Sequence, residues 1–416
     1  MLKNYSSALK QYLLITANYW AFTVTDGALR MLVILYFYQL GYSPLYIALL
    51  FVFYEVFGVI TNGVGGWLGA RWGLNKTMNI GLGLQVAALS MLLVPSELLT
   101  MAWVMAAQAL SGIAKDLNKM SAKSSIKILL PEQNSNDGIE NNYNEQRRLY
   151  KWVARLTGSK NALKGVGFFL GGALLSLFGF QSAIAIMAWV LSAVWLLSMR
   201  YLKKDLGKAK HKNSFTQIFS KSPAINSLSA ARLFLFGARD VWFVVALPVY
   251  LSTQLNWSHS AVGAVLALWI IGYGFMQTIA PTLTKTHQNP LPDGLSAFRW
   301  ALALALIPAA IALALTVNFA SEINLLLGLI IFGVFFAINS SLHSYLIVSY
   351  ASISRVSLDV GFYYMANAMG RLIGTVLSGW VYQAHGLAAC LWISAVFIAI
   401  AALISLMLPR HSINYK

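Results

Sequence analysis

The sequence predicts an all-α membrane protein of twelve transmembrane helices, and three observations predict it. Of 416 residues, 58% are hydrophobic and only 10% charged, against about 25% charged in a soluble domain. Apolar stretches of roughly twenty residues recur along the whole chain, each long enough to carry a helix across about 30 Å of hydrocarbon. Lysine and arginine collect in alternate connections, the pattern that bilayer topology imposes.

Taken in order, the expected spans lie near 12–38, 44–67, 77–95, 99–120, 155–180, 182–201, 227–251, 259–280, 297–317, 322–348, 358–381 and 385–408. The first apolar run is not read as a signal peptide: it is long, holds Asp26 and Arg30, and lacks a small-residue cleavage pattern. One set of connections receives Lys3, Lys10, Arg71, Lys76, the lysine-rich 115–151 segment, Arg200 to Lys221, Lys285, Arg299, Arg355, Arg410 and Lys416. The opposite loops (39–44, 95–100, near 181, 252–258, 318–322 and 382–386) contain neither Lys nor Arg. Both termini are therefore expected in the cytoplasm, with the protein multi-pass in the cell's inner membrane. Most of the +17 net charge is topology and attraction to anionic lipid, not a sign of nucleic acid.

Several function classes drop out. There is no GxxxxGK[ST] phosphate loop and no HExxH, so neither an ATPase nor a zinc protease is supported. Cys390 is the single cysteine, which leaves no disulfide within one chain and no thiolate cluster for a soft metal. A small buried apolar role suits it. No cofactor, metal site or catalytic set is expected, and a monomer is the expected state.

The chain reads as duplicated. Gly27-Ala28-Leu29-Arg30 is echoed by Gly237-Ala238-Arg239-Asp240, Asn161-Ala162-Leu163 by Asn367-Ala368-Met369, and Gly112 with Asn118 by Gly333 with Asn339. The separations all lie near half the chain length. The expected organisation is an N-terminal six-helix half over 1–202 with a cytoplasmic loop at 121–150, a basic linker at 203–224, and a C-terminal half over 225–416. Pro131–Arg148 and Lys203–Pro223 have the composition of solvated connectors. Two six-helix halves joined by a basic central loop resemble the major facilitator fold, in which substrate binds between repeats near mid-membrane. Gly66-Trp67-Leu68-Gly69-Ala70-Arg71-Trp72-Gly73-Leu74-Asn75-Lys76 resembles that superfamily's Gly-x-x-x-Asp-Arg-x-Gly-Arg-Lys gating motif. Ala70 stands in the acidic place; the glycines still suit a tight cytoplasmic turn.

Charges inside spans are costly and mark function. Arg30, Lys115, Lys119, Lys160, Lys164, Arg232, Arg239 and Arg371 outnumber Asp26, Glu55, Asp116, Asp240 and Asp359. Asp26 and Arg30, one turn apart, are candidates to pair. Lys115, Lys119, Lys123 and Lys127 recur every four residues; the first two are expected to face a cavity and the last two the cytoplasmic surface, by snorkelling. Arg30, Lys115, Lys119, Lys160, Lys164, Arg239 and Arg371 are the candidate substrate-binding cations, with Asn18, Tyr363 and Asn367 as polar contacts. Arg30 and Arg239 occupy nearly equivalent places in the two halves, whereas Arg232 reads as a positioning charge. Guanidinium forks suit bidentate oxyanion contacts and lysine supplies a mobile point charge. The cavity therefore suits an organic anion with phosphate-like ends. Asp26, Glu55, Asp240 and Asp359 are candidates for ion or proton coupling. Glu55 either carries a proton or bonds another helix, and His343 either bonds a helix or meets substrate or proton.

Four longer blocks carry a closer resemblance: NYWAFTVTDGALRMLVILYFYQLGYSP, QALSGIAKDLNKMSAKSSIK, TGSKNALKGVGFFLGG and ARLFLFGARDVWFVVALPVYL. They resemble the ArsJ-type organoarsenical efflux permeases of the major facilitator superfamily, over nearly the whole chain. The Asn-rich stretch Gln133–Glu145 departs from that pattern. The resemblance implies a secondary transporter that exports 1-arseno-3-phosphoglycerate and confers arsenate resistance. It also implies functional coupling to glyceraldehyde-3-phosphate dehydrogenase, which makes that acyl arsenate when arsenate replaces phosphate. Read from the residues alone, an organophosphate or phosphate exchanger, or an importer of another organic anion, stays open. A membrane-embedded enzyme would need a nucleophile–base set that the sequence does not offer.

Overall fold

The computed structural model describes residues 7–42, 46–47, 50–129, 139–203, 206–207, 222–257, 259–284, 291–317 and 321–410. Among them the regular structure is helical: α1 (Ser7–Gln39), α2 (Val52–Trp72), α3 (Leu74–Met91), a 3₁₀ turn at Ser96–Leu98, α4 (Met101–Leu129), α5 (Ile139–Tyr201), α6 (Pro223–Phe243), α7 (Ala246–Thr253), α8 (His259–Leu283), α9 (Gly294–Thr316), α10 (Ser321–Tyr350) and α11 (Val356–Ser405). Seven of the helical stretches are long and apolar enough to cross a membrane. α2, α3 and α4 fall outside that set because glycines, amides and the lysine ladder dilute their apolar faces.

The chain forms two compact units, neither a continuous stretch. The first comprises Met1–Asn136, Ser159–Phe219 and Ala351–Met365; the second comprises Asp137–Gly158, Ser220–Tyr350 and Ala366–Lys416. The expected division at 1–202 and 225–416 follows the chain, whereas the compact units exchange the first part of α5 and the first part of α11.

In the first unit, α5 climbs along α1 and returns. Trp20 Nε1 donates to Ser159 Oγ at 2.9 Å, a Cβ on Gly167 would stand 2.6 Å from Val24 O, and Phe180 stacks on Tyr36 at 4.1 Å. After Gly179, whose φ of 73° breaks the helix, the chain comes back: Asn18 Nδ2 donates to Ser198 Oγ at 2.9 Å and Gln11 Nε2 to Tyr201 O at 3.1 Å. The expected loop near 181 is thus a single glycine, which reaches this φ without the Cβ penalty. Gly386, at φ 74°, breaks α11 likewise in the second unit. A Cβ on Gly374 would lie 2.6 Å from Gly237 O on the way out, and Phe397 packs on Phe234 on the way back.

The expected cytoplasmic turn after the gating motif is one residue long. Gly73 (φ 95°) joins α2 to α3, donating its N–H to Gly69 O at 3.0 Å. Ser357 Oγ donates to Gly66 O at 2.6 Å, so the motif's glycines pack on the start of α11.

Two connectors differ from the sequence expectation. Residues 139–148 of the supposed solvated loop are the first turns of α5, and Gln146 Oε1 accepts from Tyr345 Oη and Ser349 Oγ at 3.2 Å each. A polar composition folds here because a partner helix satisfies it. The start of the Lys203–Pro223 connector also docks. Leu74 N–H donates to Leu206 O at 2.8 Å, and Asn75 Nδ2 to Lys203 O at 2.7 Å. Residues 130–138 and 208–221, with the Asn-rich run before Ile139, lie outside the described residues, as do Lys3, Lys285 and Lys416.

Candidate functional site

Each unit carries its own buried ionic cluster. In the first, α1, α2, α4 and α5 converge. Asp26 is buried; its Oδ1 accepts from Tyr54 Oη at 2.7 Å and its Oδ2 lies 3.5 Å from Lys164 Nζ. Arg30 Nη2 meets Glu55 Oε1 at 3.5 Å, with its Cζ 4.9 Å from the Phe51 ring and 4.8 Å from the Tyr54 ring. The expected Asp26–Arg30 pair is therefore not made. Arg30 is long enough to reach Glu55 and Tyr54 on α2 and Phe51 just before it, which leaves Asp26 to the lysine of α5.

From α4, Lys119 Nζ approaches Asp116 Oδ1 at 2.6 Å, and Lys115 Nζ lies 3.9 Å from Asp116 Oδ2 and 3.7 Å from the centre of the Tyr54 ring. Lys160 donates to Asn161 Oδ1 at 3.2 Å and lies within electrostatic reach of Lys164, Lys119 and Lys115. Four lysines from two helices thus share one site. Lys123 corrects the expected division of the ladder: it is only 3% exposed, with its ammonium 5.5 Å from the Tyr364 ring, which also carries Lys119 at 4.5 Å. α4 runs on to Leu129 inside the unit, so Lys123 never reaches a surface. Lys127 is half-buried.

In the second unit one carboxylate organises the site. Asp240 is fully buried; its Oδ1 accepts from Arg239 Nε at 2.6 Å and its Oδ2 from Arg371 Nε at 3.0 Å. The Phe236 ring lies 5.0 Å from Arg239 Cζ and 3.8 Å from Arg232 Cζ. Arg232 Nε donates to Asn367 Oδ1 at 2.8 Å and Nη1 to Ser340 O at 3.4 Å, which ties α6 to α10 and α11 as a positioning charge does.

Asn18 belongs to the α1–α3–α5 seam, where Ser198 Oγ in turn donates a hydrogen bond to Asn79 Oδ1 at 2.5 Å. Tyr363 is buried edge-on against Tyr364 at 4.9 Å. Asp359 is buried in the first turn of α11, about three turns before Arg371. His343 is fully buried on α10, and neither ring nitrogen has a hydrogen-bond partner among the described residues. No group of three or more His, Cys, Asp or Glu that could hold a metal occurs among the described residues. Sequence reasoning missed Tyr54. Its signal was adjacency: Tyr54 precedes an intramembrane acid.

The model of the Major Facilitator Superfamily matches residues 12–245 and again 228–414. The chain belongs to this superfamily. It is therefore a multi-pass membrane protein of a transporter superfamily, with the all-helical fold its sequence predicts. Solved structures share that fold at low identity. The human organic anion transporter MFSD10 (TETRAN) aligns with a TM-score of 0.71 at 14% identity, covering 96% of this chain and 100% of that one. A bacterial homologue of the iron transporter ferroportin, in an outward-facing state with soaked iron, aligns at 0.70 and 16%, covering 95% and 98%. The Escherichia coli fucose:proton symporter FucP aligns at 0.70 and 14%, covering 96% and 98%. No curated protein matches the sequence.

Proposed function

We infer that this superfamily member exports a small, multiply charged organic anion, 1-arseno-3-phosphoglycerate, from the cytoplasm by alternating access, and so confers arsenate resistance. The observation that carries the anion reading is the surplus of cations, most of them half-buried, over acids in the two ionic clusters. Among the described residues, Arg30, Lys115, Lys119, Lys123, Lys160 and Lys164 stand with Asp26, Glu55, Asp116 and Asp359 in the first unit, and Arg232, Arg239 and Arg371 with Asp240 in the second. Cations held inside a membrane protein call for partners, and an anion with a phosphate at one end and an arsenate at the other supplies them. The arsenical identity rests on the resemblance of the four long sequence blocks, and an organic anion transporter with the same fold agrees with the charge class. The cargo forms when glyceraldehyde-3-phosphate dehydrogenase accepts arsenate, and outside the cell it hydrolyses to arsenate and 3-phosphoglycerate. The single Cys390 argues against arsenite, which favours thiolates.

The protein works in this reading as a monomer in the inner membrane with both termini cytoplasmic, driven by an ion or proton gradient through Asp26, Glu55, Asp240 or Asp359. The test is arsenate tolerance in cells stripped of other arsenic exporters, with and without the dehydrogenase. Tolerance that needs both genes supports the reading. Growth on organophosphates with no arsenate phenotype would replace it with an organophosphate exchanger.

A further inference from the structure

Tyr54 holds two cations and an acid with one side chain. Its hydroxyl donates to Asp26 Oδ1 at 2.7 Å, and its ring carries Lys115 Nζ at 3.7 Å and Arg30 Cζ at 4.8 Å. Its backbone lies in the notch left by Gly112, where a Cβ would stand 2.7 Å from Tyr54 O, so α2 packs closely on α4 at this residue. An ammonium and a guanidinium on one ring repel each other, and the negative face of the ring offsets that repulsion.

Neither cation is saturated by its carboxylate. Arg30 reaches Glu55 through one nitrogen at 3.5 Å, and its buried Nε has no hydrogen-bond partner among the described residues, although a guanidinium offers five donors. Lys115 stands 3.9 Å from Asp116, whose carboxylate is taken more closely by Lys119. Asp26, the other acid in reach, is held by the Tyr54 hydroxyl on one oxygen and faces Lys164 with the other. One aromatic ring thus carries two under-used cations, while its hydroxyl engages the neighbouring acid.

We propose that Tyr54 is the positioning residue of an oxyanion subsite made by Arg30 and Lys115, which takes a tetrahedral dianion such as the phosphate or arsenate end of the cargo. The proposal rests on the export reading above. The fork of Arg30 supplies directed hydrogen bonds and Lys115 a point charge that follows the ligand; the ring sets their spacing.

The experiment uses full-length protein in nanodiscs, with 3-phosphoglycerate and inorganic phosphate as probes and Lys115 acylation by an amine reagent as readout. The probes should protect Lys115 in the natural protein. Tyr54→Leu should speed Lys115 labelling and raise the 3-phosphoglycerate concentration for half-protection by about ten-fold, as loss of a desolvated cation–π contact predicts. Tyr54→Phe, which keeps the ring, should stay within about three-fold of the natural protein. If Tyr54→Leu does not fold, Tyr54→Met gives a ringless side chain of similar reach. Wild-type-like labelling and protection in a folded ringless variant overturn the proposal, and so does a Phe variant as impaired as the Leu variant. Arsenate tolerance with no protection of Lys115 by either probe overturns the subsite and leaves the export reading standing; loss of both overturns the reading as well.

Discussion

The acids at the centres of the two units are held differently. Asp240 in the second unit has a guanidinium on each oxygen and no exposure. Asp26 in the first has one neutral hydroxyl and one ammonium at 3.5 Å. The first arrangement locks two arginines to a fixed counter-ion. The second spreads charge over four lysines, an arginine and several acids, and leaves Arg30 Nε without a hydrogen-bond partner among the described residues. The units share a scaffold: closely packed glycines bring α5 onto α1 and α11 onto α6. Two buried amides also recur, Asn118 donating to Ala114 O and Asn339 to Phe335 O, each one turn back at 2.9 Å. Similar scaffolds thus carry a rigid ionic centre in one unit and an adjustable one in the other.

The comparison breaks most directly at the two acids. Asp240→Asn leaves two arginines beside a neutral amide in a buried site and should destabilise the protein by about 3–5 kcal/mol, seen as a large drop in folded yield and melting temperature. Asp26→Asn keeps an acceptor for Tyr54 and should cost about 1–3 kcal/mol. Equal losses in thermal melts of the two variants would erase the distinction.

A second comparison separates charge from geometry at Arg30. Arg30→Lys should reduce transport about ten-fold or more, because the planar fork is lost while the charge remains. The control is Glu55→Gln with Arg30→Gln, since Glu55 is the partner. Vesicle uptake by that charge-free pair matching the natural protein would make Arg30 a structural counter-ion.

The shared scaffold is tested by Gly167→Ala and Gly374→Ala. In each case the new methyl meets a backbone carbonyl at 2.6 Å, and a packed seam of this kind should lose about 1–3 kcal/mol. Chemical denaturation of the two variants should give similar losses if the seams are equivalent. The smallest effect is expected at Asn18→Ala, about 1 kcal/mol for one hydrogen bond, with the KM for transport unchanged because Ser198 is its partner. A raised KM would return Asn18 to the substrate contacts.

The positions of the helices and the inventory of intramembrane charges were legible in the sequence, because hydropathy and charge are properties of single residues and short windows. The pairings were not. Asp26 and Arg30 share a face of α1, yet their partners are Lys164 and Glu55 on other helices. Periodicity states which face a residue occupies and nothing about what packs there. Lys123 was misplaced for the same reason: snorkelling is the default for a lysine near a helix end, and only the Tyr364 ring on α11 shows that this end is covered. Residues 139–148 looked disordered by composition, since composition cannot register that Tyr345 and Ser349 would meet Gln146.

The single-residue breaks at Gly179 and Gly386 bear on how the protein is made. Two helices joined through one residue leave no slack for the first to settle in lipid while the second is still outside. Such a pair is expected to enter the bilayer together, as a hairpin whose tip gives a protease or an inserted epitope tag no loop to occupy. Insertion at these two places in steps of two helices is the expected outcome, and a lengthened linker at either tip should uncouple them.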